Sequence, residues 1–437
     1  MYDVILIGGG LNYAAAIVLS KASKKVALIE KDLNHLGGTC LHNGCIPSKN
    51  LLHRAKSVIE SKEEVFTKSA HLNLQKLQDK IKSRIQKSTE AVTAQCKAAG
   101  VKLIEGEAFV TDDGVEVNGE IIKSEYTIIG TGSYPKIPEG IEYDSKKIIT
   151  SDEALNFKHV PKEISIYGTG AIGLEMASLF AALGSRVNLI YRHKNISKKS
   201  PDSITQKLET QLKTLGINLI PEFSIQKAFV KDNKVIIQRG DKILSSEYLL
   251  VAAGRVPDTN VVKTDKIRVS KGIETDEFFQ TSMPNVYAIG DCNGKLLLAH
   301  AARAQALNVA DQILGKKEKL NLDNIPKFIY TLPLSYANIG ERSEKTAAFP
   351  LSYLGISGSG FGDENGEVIL YADEEGFLCG ADIFAPNAEE LIGIIATALE
   401  AELDIKTFKK VTFPHPTYSE AIDRALRKFR SIKLKDG

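Results

Sequence analysis

Gly37-Gly38-Thr39-Cys40-Leu41-His42-Asn43-Gly44-Cys45-Ile46-Pro47-Ser48-Lys49 is the stretch from which the rest of this chain is read. Two cysteines five positions apart sit between a glycine-rich turn and a helix start. Pro47 suits a first helical position, and Ser48-Lys49-Asn50-Leu51-Leu52 continues the helix. This places Cys45 near a helix N-terminus, where the positive end of the dipole favours a thiolate. Cys40 is expected on the loop before the helix, close enough to pair. A dithiol that can close to a disulfide beside such a helix end suits two-electron redox chemistry. A bare Cys-x4-Cys would read as two buried core cysteines, but the flanking Gly-Gly-Thr and Ile-Pro-Ser-Lys weigh against that. A zinc site needs a second ligand pair. Cys96, Cys292 and Cys379 are isolated from one another, so no metal is expected.

With 437 residues the chain is long enough for two to four domains and several sizeable cores. Its apolar content of 43% and charged content of 25% are ordinary for a water-soluble protein. A net charge of +2 argues for neither nucleic acid nor an anionic membrane as partner. No apolar run reaches membrane-spanning length, and Ala14 to Leu19 runs into Ser20-Lys21. Met1 to Ile7 reads as a strand entering a glycine turn rather than as a signal peptide. Five cysteines in such a length do not make a disulfide scaffold, so a reducing cytoplasm is the expected compartment.

Two strand, glycine-turn, helix units lie far apart in the sequence. The first runs Val4-Ile5-Leu6-Ile7, Gly8-Gly9-Gly10, then an alanine-rich helix from Ala14 and a second strand, Val26 to Ile29, ending at Glu30. The other runs Ile164 to Tyr167, Gly168-Thr169-Gly170-Ala171-Ile172-Gly173, a helix from Leu174 to Leu183 and the strand Val187 to Tyr191. In each, glycine backbone can approach a pyrophosphate at a helix N-terminus, so two dinucleotides are expected. The first turn lacks its third glycine. Leu74 to Gly100 has apolar positions at helical spacing (Leu77, Ile81, Ile85, Val92) and reads as a surface helix returning to the first domain. The C-terminal third reads as α+β, with strand-like segments at Phe328-Ile329-Tyr330, Val368 to Tyr371 and Phe377-Leu378, then a helix from Ala388 to Leu403.

Further motifs lie downstream. Thr281-Ser282-Met283-Pro284-Asn285-Val286-Tyr287-Ala288-Ile289-Gly290-Asp291 ends on a carboxylate, and Leu298-Ala299-His300 follows. Gly130-Thr131-Gly132-Ser133 and Ala252-Ala253-Gly254-Arg255-Val256-Pro257 are short glycine turns. Phe413-Pro414-His415-Pro416-Thr417-Tyr418-Ser419-Glu420 pairs a histidine with a carboxylate that can orient it for proton transfer. Its flanking prolines fix the backbone and could include a cis bond at Pro416.

Together these motifs, from Asp3 to Ala425 and in the family's order, resemble the flavin-dependent pyridine nucleotide-disulfide oxidoreductases, and the dithiol segment resembles the dihydrolipoyl dehydrogenase branch. The resemblance implies an α/β fold with two Rossmann-like dinucleotide-binding domains, as in glutathione reductase, plus an α+β C-terminal dimerisation domain. The expected boundaries are 1–145 and 263–323 for the FAD-binding parts, 146–262 for the NAD(P)-binding domain and 324–437 for the interface domain. It implies that Gly8, Gly10, Glu30, Lys31, Thr39, Lys49, Ala108, Thr131, Gly132, Asp291 and Ala299 hold FAD. Gly168, Gly170, Ala171, Ile172, Gly173, Arg192, Gly254 and Arg255 would serve the nucleotides, chiefly NAD(P). It implies that Cys40 and Cys45 cycle between dithiol and disulfide, that Glu175 pairs with Lys49 beside the flavin, and that His415 with Glu420 shuttles the substrate proton. In the family that histidine reaches the other subunit, so a homodimer is expected.

The strand after the second glycine turn ends Tyr191-Arg192-His193-Lys194, with Lys198-Lys199 beyond and no carboxylate to take a ribose 2′-hydroxyl. This resembles the NADPH-dependent glutathione reductases, whereas Gly173 stands where those enzymes usually carry Ala. The expected activity is that of a dihydrolipoyl dehydrogenase passing electrons from a dithiol, with a lipoyl-bearing protein as the candidate carrier, through Cys40-Cys45 and FAD to NAD(P)+. The alternatives are an NADPH-dependent reductase of a small disulfide and a non-turnover redox sensor or assembly subunit. The second cysteine pair carried by some relatives is missing from Lys433 to Gly437.

Overall fold

The apolar runs on either side of the first glycine turn become the centre of a sheet. In the computed structural model, which describes residues 1–62, 66–354 and 365–429, β1 (Tyr2–Ile7) and β2 (Val26–Glu30) pair in parallel. Lys433 to Gly437 lie outside the described residues. The chain divides into two compact units. The first comprises Met1–Ser48, Lys76–Lys136 and Gly254–Leu322, the second the remaining segments.

In the first unit, α1 (Tyr13–Lys21) links β1 to β2, and α2 (Gly38–His42) precedes α3 (Cys45–Glu60), which carries the chain out of the unit. The return is α4 (Leu74–Ala98) and β3 (Lys102–Glu105). An antiparallel ribbon follows, of β4 (Ala108–Val110), β5 (Val115–Val117) and β6 (Glu120–Ile122), then β7 (Ser124–Ile129) and β8 (Ser133–Pro135). The principal sheet is parallel, in the order β18-β7-β1-β2-β3, with β18 (Val286–Ala288) joining late in the chain. Period-2 alternation sorts its side chains. Val4, Leu6, Val26 and Leu28 pack under Ala15, Ala16 and Leu19 of α1 and Ala306, Val309 and Ala310 of α8 (Ala299–Ile313). Ile5, Ile7, Ala27 and Ile29 pack on Ala108, Val110, Val115 and Val117 of the ribbon. With both faces covered, these strands are continuous apolar runs.

The second unit repeats the parallel plan. Its sheet runs β12-β11-β10-β16-β9, from β9 (Ile148–Ile149), β10 (Glu163–Tyr167), β11 (Arg186–Ile190), β12 (Asn218–Ile220) and β16 (Tyr248–Val251). α5 (Ser151–Ala154) opens with a Thr150/Glu153 capping box. α6 (Ala171–Ala182) follows the second glycine turn, and α7 (Asp202–Thr214) leads to β12. β13 (Lys227–Lys231), β14 (Lys234–Arg239) and β15 (Lys242–Ser246) form an antiparallel ribbon. In the first unit, β17 (Arg255–Pro257) pairs with β8.

The C-terminal part is an antiparallel sheet of order β19-β20-β23-β22-β21. It comprises β19 (Lys327–Ile329), β20 (Ser335–Gly340), β21 (Lys345–Pro350), β22 (Glu367–Ala372) and β23 (Leu378–Ala385). Ile392 and Ile395 of α9 (Ala388–Glu400), Ile405 of α10 (Ile405–Phe408) and Ile422 and Leu426 of α11 (Glu420–Lys428) pack on it. β20 and β21 are absent from the sequence reading: their small-residue stretches, Tyr-Ala-Asn and Thr-Ala-Ala, are poor in the β-branched residues that mark strands. α9 ends at Glu400 rather than Leu403, with Glu402 left-handed at φ 48°. The α/β class and the expected element types hold. Among the described residues no helix is long and apolar enough to cross a membrane.

Candidate active site

The dithiol segment is built by close packing. α3 begins at Cys45, two residues before the expected first helical position at Pro47, and the Ser48 amide closes its first turn on the Gly44 carbonyl at 3.1 Å. Cys40 lies on the short helix α2 and not on a loop. The physical reason is local: the Asn43 amide bonds the Thr39 carbonyl at 2.9 Å, and the Gly37 amide bonds the Gly9 carbonyl at 2.9 Å, so the segment winds against the first glycine turn. A Cβ on Gly44 would meet the Thr39 carbonyl oxygen at 2.8 Å and the Cys40 Cα at 3.1 Å, so only glycine lets the two helices approach this closely. Cys40 is half-buried and Cys45 exposed. Burial pushes the Cys96 and Cys292 thiols up to about 11, and burial also raises that of Cys379, so these three are poor thiolates. His42, between Cys40 and Cys45 in the chain, bonds the Leu36 carbonyl through Nε2 at 3.1 Å, and desolvation holds it below the ordinary imidazole range.

At the first glycine turn, the Gly9 amide donates to Glu30 Oε2 at 2.5 Å and the Lys31 amide to Glu30 Oε1 at 2.9 Å. Glu30 therefore ends β2 facing the turn, as a ribose-binding carboxylate does. The Lys31 ammonium is exposed and bonds Glu107 at 3.3 Å. Thr39 is exposed on α2, Ala108 is buried on β4, and Ala299 opens α8. Thr131 donates to the Asp258 carbonyl at 2.6 Å, and the Gly132 carbonyl accepts from the Asp258 amide at 2.9 Å. Asp291 sits on a 3-10 turn, Gly290–Asn293, just after β18. β1, β7 and β18 are neighbouring parallel strands, so Gly8 to Gly10, Thr131 and Asp291 all follow carboxyl ends on one edge of the sheet, at the point where strand order reverses. This arrangement fits a flavin dinucleotide.

In the second unit the turn Gly168 to Gly170 leads into α6, which starts at Ala171 and Ile172. A Cβ on Gly173 would stand 2.0 Å from the Gly168 carbonyl, so this turn excludes the alanine of the glutathione reductase pattern. Glu175 is 4% exposed and is no surface residue. Both its carboxylate oxygens accept from the Lys49 ammonium at 2.6 Å, and Oε1 also accepts from the Tyr330 amide at 3.0 Å. Arg192 and Lys194 are exposed after β11, with Arg192 Nε 3.1 Å from His193 Nε2. The helix start fits a dinucleotide pyrophosphate, and the cations fit a phosphate. Gly254 and Arg255 belong to the first unit, where the Lys136 amide bonds the Gly254 carbonyl at 3.0 Å and Arg255 grips Ser133. His415 Nδ1 stands 3.0 Å from both oxygens of Glu420, which also accepts from the Thr417 amide at 3.0 Å. That bond to His415 holds the Glu420 carboxyl below its usual range. The His415–Pro416 peptide is cis, and so is Leu332–Pro333.

The profile of the pyridine nucleotide-disulphide oxidoreductases matches residues 2–306, and that of the family's dimerisation domain matches residues 342–426. The chain belongs to this family. Its fold is that of the glutathione reductase-like enzymes, and FAD with NAD(P) are the cofactors of the family. The dihydrolipoyl dehydrogenase of Staphylococcus aureus is 31% identical over 98% of this chain and 96% of its own. The leghemoglobin reductase of Vigna unguiculata is 31% identical over 97% of this chain and 86% of its own. Among solved structures, the HOCl-induced flavoprotein disulfide reductase RclA of Escherichia coli superposes with a TM-score of 0.87 at 24% identity, covering 98% of this chain and 100% of that one. LpdA of Mycobacterium tuberculosis superposes at 0.89 with 21% identity, covering 99% and 100%. Sequence reasoning assigned no role to Ser133, which donates to Asp291, or to Gln305, which is wholly buried and accepts from the Gly290 amide at 2.8 Å. Ser133 had a signal in the Gly-Thr-Gly-Ser motif; Gln305 had none.

Proposed function

We propose that this flavin disulfide oxidoreductase is a dihydrolipoyl dehydrogenase: it oxidises a dihydrolipoyl group through Cys40 and Cys45 and delivers the electrons to NAD(P)+. The observation that carries the reading is the dithiol segment, in which Gly44 packs α2 against the start of α3 and leaves Cys45 exposed at a helix N-terminus. His415, oriented by Glu420, takes the proton of a substrate thiol. The resulting thiolate attacks the sulfur of Cys40 in the Cys40–Cys45 disulfide, and the bond to Cys45 breaks. The second substrate thiol displaces Cys40, so the cyclic disulfide leaves and the enzyme holds two electrons more. The dipole at the start of α3 stabilises Cys45 as thiolate. Glu30, Asp291 and the first glycine turn would hold FAD, which when bound would supply hydride transfer to the nucleotide. Lys49 and Glu175 form a fixed charge pair within the second unit. The protein works as a homodimer through the dimerisation domain, with His415 serving the partner protomer.

The basic strand end Arg192-His193-Lys194 supports a second reading, an NADPH-dependent reductase of a small disulfide. Initial rates of dihydrolipoamide oxidation by the FAD-loaded enzyme with NAD+ and with NADP+ separate the two. Fast turnover supports the dehydrogenase, and the preferred nucleotide gives the role of Arg192. No turnover with either sinks the dehydrogenase and transfers the assignment to the reductase.

A further inference from the structure

Three segments of the first unit meet at one hydroxyl. Ser133 opens β8, which pairs antiparallel with β17 so that Ser133 lies opposite Pro257 and Pro135 opposite Arg255. Arg255 Nε donates to Ser133 Oγ at 2.7 Å, and Arg255 Nη2 donates to the Ser133 carbonyl at 2.5 Å. Ser133 Oγ in turn donates to Asp291 Oδ2 at 2.6 Å. A hydroxyl has a single proton. Because the guanidinium fills an acceptor position on Oγ, that proton is directed to the carboxylate, and a cation and an anion are joined through one neutral group. An arginine fork bonded directly to a carboxylate engages both its oxygens. With Ser133 interposed, the bond takes only Oδ2, and the other oxygen of Asp291 stays available to a ligand hydroxyl. The turn that carries Asp291 is fixed from its other side, where Gln305 Oε1 accepts from the Gly290 amide at 2.8 Å and from Asn293 Nδ2 at 2.8 Å.

We infer that Ser133 is a positioning residue for flavin binding: it relays the hold of Arg255 to Asp291 and fixes the carboxylate with one oxygen presented to the ribityl chain of FAD. This rests on the reading of Asp291 as a flavin ligand. The side chains involved are all half-buried, so the relay is shielded from full solvation without needing a buried net charge.

The test is flavin retention by the holoenzyme. FAD released on dilution, read by its fluorescence, gives a dissociation constant for the native chain and for S133A, S133T, D291N and S133A/D291N. Loss of a bond to a charged group predicts about tenfold weaker binding in S133A, with S133T close to native because the hydroxyl is retained. The double variant binds no more weakly than D291N, because the relay acts only through that carboxylate. R255K probes the same relay without altering Ser133: a lysine cannot grip two oxygens at once, and FAD binding weakens about threefold. Native-like binding in S133A beside weakened binding in D291N overturns the relay alone. So does an S133A loss that adds in full to that of D291N. Native-like binding in D291N instead overturns the reading of Asp291. If S133A does not fold, unchanged binding in R255K overturns the relay.

Discussion

Replacing Lys49 by methionine tests the charge pair of the second unit. Glu175 is 4% exposed and has three donors, two bonds from Lys49 and one from the Tyr330 amide. Removing one partner of a fully buried pair costs about 3–5 kcal/mol, because the other charge is left uncompensated. The Lys49 side chain is 29% exposed, so water reaches the pair, and we take about 2 kcal/mol for K49M. E175Q removes the charge but keeps an acceptor for Tyr330, and its released ammonium can turn to solvent, so about 1 kcal/mol is expected. In K49M/E175Q neither charge is stranded. The expected cost is again about 1 kcal/mol, a coupling of about 2 kcal/mol against the additive sum. Urea midpoints report this: with a slope of roughly 3 kcal/mol/M, K49M moves the midpoint down by about 0.7 M and the double variant by half as much. Losses that simply add, or a K49M midpoint within error of native, refute the claim that Glu175 is a buried carboxylate held by Lys49.

Other expectations concern pH, the interface domain and the His415–Glu420 pair. Desolvation lowers His42 from its ordinary 6.5, so the unfolded chain binds the extra proton first, and its contribution to stability is present above about pH 6.5 and lost as pH falls below it. H42N should therefore flatten the fall in melting temperature between pH 7 and pH 5, and a profile parallel to native counts against the half-buried neutral imidazole. Asp382 is 1% exposed and accepts from Arg342 Nε at 2.6 Å, from Tyr336 at 2.5 Å and from Tyr371 at 2.9 Å. D382A leaves three side chains without their acceptor and should cost about 3 kcal/mol in denaturant unfolding, whereas a loss under 1 kcal/mol would show that the cluster is already hydrated. E420Q keeps an acceptor for the Thr417 amide but withdraws the negative charge from His415, so turnover with a dithiol should fall about 100-fold while melting changes little. An unchanged rate assigns the proton transfer elsewhere.

The parts of this protein legible in its sequence are those whose chemistry is contiguous. The dithiol segment fits within Gly37 to Lys49, and each glycine turn with its flanking strands spans a few dozen residues, so period and spacing were enough to read them. Contacts between distant segments had no such signal. Lys49 and Glu175 stand 126 positions apart, and only resemblance paired them. Ser133 and Asp291 are 158 apart, and nothing in either motif joined them. Local geometry was misread where packing overrode propensity. Pro47 marked a helix start, but the approach of Gly44 to Thr39 and Cys40 moves that start back to Cys45.

The first glycine turn shows the same limit from the other side. Its missing third glycine raises the question of how α1 packs closely on the sheet, and the small side chains of Ala14 to Ala16 are one source of room. Ala15 and Ala16 are indeed fully buried, yet they are only half of the answer. Asn12, 2% exposed, stands at the N-cap of α1, reaches the Ile7 carbonyl with Nδ2 at 3.4 Å and lies against Gly130, where a Cβ would come within 2.8 Å of that nitrogen. The space that a glycine in the turn would have left is instead provided by a glycine at the end of β7, 118 residues away, which makes room for the asparagine. A turn judged on its own residues looks defective; judged with the strand beside it, the close approach is preserved by moving the glycine to the opposite surface.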